Sequence, residues 1–143
     1  MPRIKINMPD QFPFTCTVPV RITDLNYGGH VGNDTILSLA HEGRLQYFRH
    51  LGYTELSFEG VGLIMADAAI EFKSELFYGD AVIISIAPGD YSKVGFDVFY
   101  KLEKKTAGQL KTVAFIKTGM ICYDYAQKKI TGLPAAALTR MNG

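Results

Sequence analysis

Four polar side chains that could act on a carbonyl group lie within ten residues of one another. Asp24, Asn26, His30 and Asn33 belong to the segment RITDLNYGGHVGND, which occupies residues 21–34. An imidazole exchanges a proton near neutral pH, a carboxylate can act as a base, and an amide can position a water molecule. The three glycines of the segment permit a ligand to approach the backbone closely. This loop is therefore the candidate site, although His30 could equally be a structural residue that joins the loop to the next element.

The residues after this loop predict one long helix. Its apolar face consists of residues at three- and four-residue spacing: Ile36, Leu39, Ala40, Gly43, Tyr47 and Leu51. Three other residues of the helix are expected to point elsewhere: Arg44, Leu45 and Arg49. Asn33 or Asp34 is expected to cap the start, and Gly52 the end. A glycine inside a helix costs ~1 kcal/mol relative to alanine, so Gly43 predicts close approach of another backbone, unless it is simply tolerated. The start of such a helix offers free N–H groups at the positive end of its dipole.

Composition excludes several classes of protein. The 143 residues suit one domain, 1–143, with a net charge of +1 that provides no overall basic field for nucleic acid. Cys16 and Cys122 are far apart without the spacing of a metal site, so we expect no metal and a buried pair of reduced thiols, with a disulfide as the alternative. No leader and no apolar run long enough to cross a membrane is visible, which favours the cytoplasm.

The rest of the chain reads mainly as strands. A strand over residues 14–22 should place Phe14, Cys16, Val18, Val20 and Ile22 on one face, and Pro19 within it indicates a sheet edge. Four more strands are expected over residues 62–74, 81–87, 94–103 and 109–125, with a bend or bulge at Gly119. Residues 1–13 should form a loosely held lead-in, residues 54–58 a helical turn, and residues 133–141 a short helix that starts near Pro134.

This order of elements predicts an α+β fold in which a five-stranded antiparallel sheet wraps around one central helix. Strands joined by tight turns pair antiparallel, and one helix can cover only one face of the sheet. The other face and at least one sheet edge should then be covered by a partner chain. We therefore expect a homodimer or a dimer of dimers.

Three motifs resemble the hotdog-fold acyl-CoA thioesterases of the 4-hydroxybenzoyl-CoA thioesterase family. They are DLNYGGHVGN at 24–33, HEGR at 41–44 on the helix, and FYGD at 77–80. The resemblance implies the hotdog fold and an enzyme that hydrolyses an acyl-CoA to free CoA and a carboxylic acid. It implies no separate cofactor, since coenzyme A is part of the substrate. A dehydratase of the same fold is less favoured, because its helix pattern is missing.

The sequence departs from the family at the second Asp of the loop motif, which is the usual catalytic carboxylate. This position is Asn26, and an amide cannot take a proton or form an ordinary acyl anhydride. Either another residue is the base, or the protein binds thioesters without efficient hydrolysis. The candidates are His30, Glu42, which matches the family's helix Glu, and Asp67, whose strand would border the neighbouring subunit's site. Asp24 is a reserve candidate that we expect to accept N–H bonds from the turn at 27–29.

The resemblance also suggests where substrate would bind. It places the oxyanion donors on backbone N–H groups near Gly32 and Asn33, at the helix start. It places the nucleotide of coenzyme A near Ser92 and Lys93, which follow a turn. The alternatives are an ordinary loop glycine before a helix cap, and an exposed turn lysine.

Overall fold

Nine elements of regular structure occur in residues 3–143, which are the residues that this computed structural model describes. The strands are β1 Phe14–Pro19, β2 Gly62–Phe72, β3 Ala81–Gly89, β4 Gly95–Thr106, β5 Gln109–Asp124 and β6 Lys129–Ile130. The helices are α1 Asn33–Leu51 and α2 Ala135–Asn142, and a 3-10 turn, Ile22–Asp24, lies between β1 and α1. All strand pairs are antiparallel in the order β1-β3-β4-β5-β2, with β6 paired to β5.

The predicted antiparallel sheet with one long helix against it is confirmed, with one strand more than expected. The two-residue β6 was missed, because a strand this short has no period to detect. β1 forms an edge of the sheet, as Pro19 indicated, and it ends at Pro19 rather than at Ile22. Ile22 belongs to the 3-10 turn and is 67% exposed, so its predicted place on the inward face is wrong.

Helix α1 packs against the inner face of the sheet through an apolar face that includes small residues. Ile36, Leu39, Ala40, Gly43 and Tyr47 are buried as predicted. A Cβ on Gly43 would lie 3.0 Å from Ile84 Cγ2 and 3.2 Å from Ile86 Cδ1. The close approach at Gly43 is therefore to side chains of β3 and not to another backbone. Because a larger residue would push these isoleucines away, Gly43 sets how closely the helix approaches the sheet.

The cap at the end of α1 was predicted correctly, whereas the cap at its start was not. The C-cap residue Gly52 has φ +88°, and its amide bonds the carbonyls of Arg49 and Phe48, so this cap is confirmed. The N-cap is Gly32, one residue before the predicted Asn33 or Asp34, and no side chain caps it.

Arg44 is the clearest error of the helix prediction, since it is only 5% exposed and lies between α1 and the sheet. Its Nε–H donates to Glu55 Oε2 at 2.9 Å, and its Nη1 donates to the Tyr100 hydroxyl at 2.9 Å. That hydroxyl lies 2.6 Å from Thr118 Oγ1. Burial alone would lower the pKa of Arg44, but its interactions with Tyr100 and Glu55 outweigh burial and raise it. The network joins α1, the connection after it, β4 and β5.

Two further predictions about loops and bulges need correction. Residues 54–58 form no helical turn; instead Thr54 and Ser57 exchange backbone hydrogen bonds, and Phe58 is fully buried. The irregularity expected at Gly119 lies across from it in β2, where the register shifts between Met65 and Asp67. The extra residue is Ala66, so side chains before and after it face opposite sides of the sheet.

The outer face of the sheet, away from α1, is partly covered by the chain's own N-terminal segment rather than only by a partner. The Ile6 amide donates to the Glu71 carboxylate on β2, and Lys101 on β4 lies 4.9 Å from the centre of the Phe12 ring. The described part of the predicted lead-in, residues 3–13, therefore crosses the outer face. Cys16 and Cys122 are free thiols, and burial raises the pKa of Cys122 to about 11. Among residues 3–143, no helix has the length and apolar character that crossing a membrane requires.

We expect the change Arg44→Met to lower the free energy of unfolding by about 3 kcal/mol, because it leaves Glu55 and Tyr100 without their buried partner. Urea unfolding measures the loss. Arg49→Met is the matched control, since Arg49 is exposed on the last turn of the same helix, and we expect it to cost less than ~1 kcal/mol. Equal losses for the two variants would show that the buried network does not stabilise the fold.

Candidate active site

The loop between the 3-10 turn and α1 is held in place by backbone hydrogen bonds at both of its sides. The Asn26 amide donates to the His30 carbonyl at 2.8 Å, and Leu25 and Val31 form a β-bridge. The Val31 amide donates to the Leu76 carbonyl at 2.9 Å, which ties the loop to the segment that follows β2. The loop is therefore an ordered turn, and Tyr27 at its tip is exposed.

Backbone amides are left open where this loop runs into α1. The amides of Asn33, Asp34 and Thr35 donate to no acceptor within the described chain, and the first loop-to-helix bond is that of Ile36 to the Gly32 carbonyl. Gly32 is extended, with φ −70° and ψ 157°, so the chain enters the helix directly from the loop. Free N–H groups at the positive end of a 19-residue helix favour an anion or a polarised carbonyl oxygen.

Asn26 is oriented by a hydrogen bond of its own loop. Its Oδ1 accepts the Gly28 amide at 2.8 Å, so the acceptor end of the side chain is occupied. Its Nδ2 lies 3.9 Å from the position that a Cβ would take on Gly32. Asn26 therefore lies beside the start of α1, and its Nδ2 donors remain available to a ligand.

His30 is placed next to this corner with one ring nitrogen free. Its Nδ1 lies 3.2 Å from the Val31 carbonyl, which can only accept, so Nδ1 carries the proton and Nε2 keeps a lone pair. Nε2 lies 3.9 Å from Glu75 Oε1, which is beyond hydrogen-bond distance. A cavity of about 260 Å³ is lined by His30, Asn33, Phe72, Lys73 and Glu75. We call this cavity and the open amides beside it the helix-start corner.

Asp24 and Glu42 lie together, but outside the helix-start corner. Both line a groove of about 390 Å³ between β1 and α1. Asp24 is buried, and it accepts the Arg21 amide at 2.8 Å with the Arg21 guanidinium 3.6 Å away. Its expected role in the turn at 27–29 is wrong, because Asn26 supplies the acceptor there. Glu42 is exposed and accepts a hydrogen bond from Gln46 at 2.8 Å.

Asp67 and Ser92 line a third cavity, of about 210 Å³, which also contains Asp90 and Asp97. Asp67 accepts the Gly119 amide at 3.0 Å and pairs with Lys117 at 3.2 Å, on the side of the sheet away from α1. Burial, more than its charged neighbours, raises the pKa of Asp97. Within one chain this cavity, which we call the outer-face hollow, is separated from the helix-start corner by the sheet.

The predicted nucleotide residues lie beside the outer-face hollow. Ser92 Oγ accepts the amide of Gly95 at 3.1 Å, so its hydroxyl caps its own turn. Lys93 is exposed, and its carbonyl accepts the Leu133 amide at 2.9 Å.

The sequence analysis missed the residues contributed by the segment after β2. Lys73 and Glu75 line the helix-start corner, and the Val31–Leu76 hydrogen bond that ties this segment to the loop is a long-range contact with no local signal. A metal-binding arrangement of three or more His, Cys, Asp or Glu side chains does not occur among residues 3–143.

Comparisons with known proteins give a sequence family and a set of similar folds. A sequence model of the thioesterase-like superfamily matches residues 20–141. No curated protein matches the sequence. A thioesterase-superfamily structure from Jannaschia sp. CCS1 aligns with a TM-score of 0.81 at 14% identity, covering 93% of this chain and 83% of that one. A 1,4-dihydroxy-2-naphthoyl-CoA thioesterase from Synechocystis gives 0.77 at 21% identity, with 90% and 95% covered.

A third solved structure contains a substrate. It is a mutant of 4-hydroxybenzoyl-CoA thioesterase in complex with 4-hydroxybenzoyl-CoA, with a TM-score of 0.81, 15% identity, and 90% of this chain and 97% of that chain covered. At these identities the likeness shows the fold, and it confirms the hotdog fold expected from the sequence motifs.

The orientation of Asn26 can be tested at the Gly28 amide. We expect Asn26→Ala to expose this amide, so that its hydrogen exchange becomes faster, whereas Asn26→Asp keeps an acceptor oxygen and keeps the protection. Exchange followed by NMR at the Gly28 amide measures both variants. Unchanged exchange in Asn26→Ala would mean that the side chain does not hold the turn.

Proposed function

This chain belongs to the thioesterase-like superfamily, and from that premise we propose that it is an acyl-CoA thioesterase, which cleaves a thioester to free CoA and a carboxylic acid. One observation supports the proposal above others. The start of α1 presents open backbone amides beside the imidazole of His30, which lines the same cavity as Asn33. Thioester hydrolysis needs these two elements: donors for the developing oxyanion, and a base for water.

The proposed reaction begins with a water molecule next to His30. Nε2 removes a proton from this water as its oxygen attacks the thioester carbonyl carbon. The carbonyl electrons move onto oxygen, and the open amides from Asn33 onwards donate to that oxyanion, while Gly32 lets it approach the backbone. When the tetrahedral intermediate collapses, the C–S bond breaks, and the imidazolium returns its proton to the leaving thiolate. Glu75 Oε1 lies 3.9 Å from the Nε2 that carries the proton between these steps.

Asn26 is proposed as a donor and not as a base or nucleophile. Because Oδ1 is bonded to the Gly28 amide, only Nδ2 can face the substrate. This nitrogen can hold the attacking water or donate to the thioester oxygen. The replacement of the family's carboxylate by an amide thus leaves proton transfer to His30. Glu42 and Asp24 remain predictions as catalytic groups, and no hydrogen bond in the described chain joins them to the helix-start corner.

The second candidate function is binding of acyl-CoA without hydrolysis, and Asn26 is the observation that favours it. No carboxylate stands at the family's usual position, and His30 has only a 3.9 Å approach to Glu75 to support its charge. A panel of short, long and aromatic acyl-CoAs separates the two functions. Binding by calorimetry without thiol release would favour the binding protein.

Self-association is part of the proposed function because β2 is an edge of the sheet in the described chain. Met65 and Phe72 of this strand are exposed, at 45% and 51%. An exposed apolar edge strand invites pairing with a second copy, so the proposed assembly is a homodimer through β2. Pairing through β2 would explain a dimer only, and the dimer of dimers stays a prediction. Only a partner subunit could bring Asp67 to a helix-start corner.

We expect His30→Gln to reduce kcat at least about 100-fold for the best acyl-CoA of the panel, because it removes the general base. Thiol release measured with a chromogenic thiol reagent gives the rate, and a thermal melt checks the fold. His50→Gln is the control, since His50 lies on the last turn of α1 with its ring 5.3 Å from that of Phe14. A folded His30→Gln variant with full activity would remove His30 from the mechanism.

Light scattering tests the dimer. We expect the wild-type chain to have twice the chain mass of 15.8 kDa, and Met65→Arg to be monomeric because it places a charge on the exposed edge strand. Leu110→Arg is the matched control: Leu110 is also an exposed apolar strand residue, at the β4–β5 hairpin, and this variant should stay dimeric. A monomeric wild type, or a dimeric Met65→Arg, contradicts association through β2.

A further inference from the structure

A cluster of positive side chains lies where the N-terminal segment meets the end of β2. Arg3, Lys5 and Lys73 line a cavity of about 500 Å³ together with Ile4, Ile70, Glu71 and Phe72. Three cations face one carboxylate there, so the cavity has an excess of positive charge although the whole chain is nearly neutral. We call this cavity the N-terminal basic cavity.

The N-terminal basic cavity is held in shape by Glu71. This carboxylate accepts the Ile6 amide, and its Oε2 lies 3.1 Å from Lys73 Nζ. The Ile6 amide, followed by Lys73 and Lys5, lowers the pKa of Glu71, so the carboxylate stays charged and keeps both elements attached. Lys73 is also positioned over the Phe115 ring, 5.6 Å from its centre. The cations are therefore presented by an anchored segment rather than by a free terminus.

The N-terminal basic cavity adjoins the helix-start corner at the end of β2. Phe72 and Lys73 line both cavities, so the two share a wall at the end of β2. A ligand whose reactive carbonyl lies at the amides of α1 can therefore extend past Phe72 towards Arg3 and Lys5. Coenzyme A has this form: a thioester at one end of a long flexible arm, and a pyrophosphate and a ribose phosphate at the other.

The alternative place for the nucleotide, near Ser92 and Lys93, has the opposite electrostatic character. The outer-face hollow beside it contains Asp67, Asp90 and Asp97, and one cation, Lys117, pairs with Asp67 and Asp97, so the negative charge is in excess there. Carboxylates repel phosphate groups at close range, and the Ser92 hydroxyl is already bonded within its own turn. Charge therefore favours the N-terminal basic cavity for phosphates.

We propose that Arg3, Lys5 and Lys73 bind the phosphate groups of coenzyme A, with the pantetheine arm passing Phe72 to reach the helix-start corner. The proposal rests on the proposed acyl-CoA thioesterase function for the position of the thioester, but the phosphate site itself needs only CoA. Lysine and arginine bind phosphate through charge-assisted hydrogen bonds, each of which is stronger than a neutral one.

Calorimetry with free CoA tests the phosphate site directly on the full-length protein. We expect Lys5→Glu to raise the dissociation constant for CoA tenfold or more, and Lys5→Gln to raise it several-fold, because each removes a charged contact. Lys129→Glu is the matched control, and CoA affinity should not change. Lys129 is an exposed lysine of β6 that lies opposite Asp124 in the strand register, at the other end of β5 from Lys73. Circular dichroism verifies that each variant is folded.

Kinetics with the best acyl-CoA of the panel and its acyl-pantetheine analogue provide the second readout. Lys5→Glu should raise KM for the acyl-CoA by about the same factor while kcat is kept. KM for acyl-pantetheine, which lacks phosphates, should stay at the wild-type value. This split would not appear if Lys5 merely supported the fold.

Four outcomes overturn the proposal: wild-type CoA affinity in both Lys5 variants, no CoA binding by the wild type, a rise in the dissociation constant with Lys93→Glu instead, or inorganic phosphate binding as tightly as CoA. The last would mean that the cavity holds any small anion. If the wild type hydrolyses no thioester but Lys5→Glu still raises the dissociation constant for CoA, the proposed function fails and the phosphate site stands.

Discussion

Three backbone amides at the start of α1 have no hydrogen-bond acceptor in the described chain, and the surrounding structure keeps them open. A helix normally satisfies such groups with a capping side chain or water. Here the cap is a glycine, and Asn26, which could supply an acceptor, turns its oxygen to Gly28 instead. The loop therefore gives up a local stabilising contact and leaves these amides free to donate. One acceptor is close by, since Asp34 Oδ1 lies 2.9 Å from the position that a Cβ would take on Gly32. Free donors at a helix start are suited to a ligand oxygen that gains negative charge.

The position of these amides depends on how α1 is held far from them. Gly43 lets the helix rest on Ile84 and Ile86, and the buried Arg44 joins it to Glu55 and to Tyr100 on the sheet. An apolar contact would allow the helix to slide or rotate at little cost, whereas hydrogen bonds of fixed direction allow one arrangement. A buried ion pair is weak evidence for extra stability, but it disfavours arrangements that leave the charge without its partner. We infer that the network fixes the rotation of α1, and with it the direction in which its open amides point.

The fold could be predicted from hydrophobic periods and local motifs, and the candidate residues of the helix-start corner could be grouped because they are neighbours in the chain. Asn26, His30, Gly32 and Asn33 are close in the chain, so no tertiary information is needed to group them. Arg44 was misplaced because a charged residue reads as exposed until its partners at positions 55 and 100 are known.

The side of the sheet on which Asp67 lies could not be deduced from the period of its strand. Met65 pairs with Met120 on the inner side, and regular alternation would put Asp67 there too. The extra residue, Ala66, reverses this, and a one-residue bulge has no reliable sequence signal. The contribution of residues 3–13 to the outer face was invisible for a similar reason, since it depends on one backbone bond to Glu71.

A net charge of +1 conceals a separation of charge across the outer face of the sheet. Lys73 follows Phe72, the last residue of β2, which lies opposite Ala114 of β5 in the strand register. Asp67 and Asp97 both lie opposite Gly119 of β5. At 3.3–3.4 Å per residue these two groups lie roughly 17 Å apart along β5, beyond the Debye length of about 8 Å at physiological salt. Each end therefore acts on a ligand nearly independently. A polyanion is attracted to the basic end and repelled by the acidic end, so the field favours one orientation for a ligand that carries phosphates at one end only.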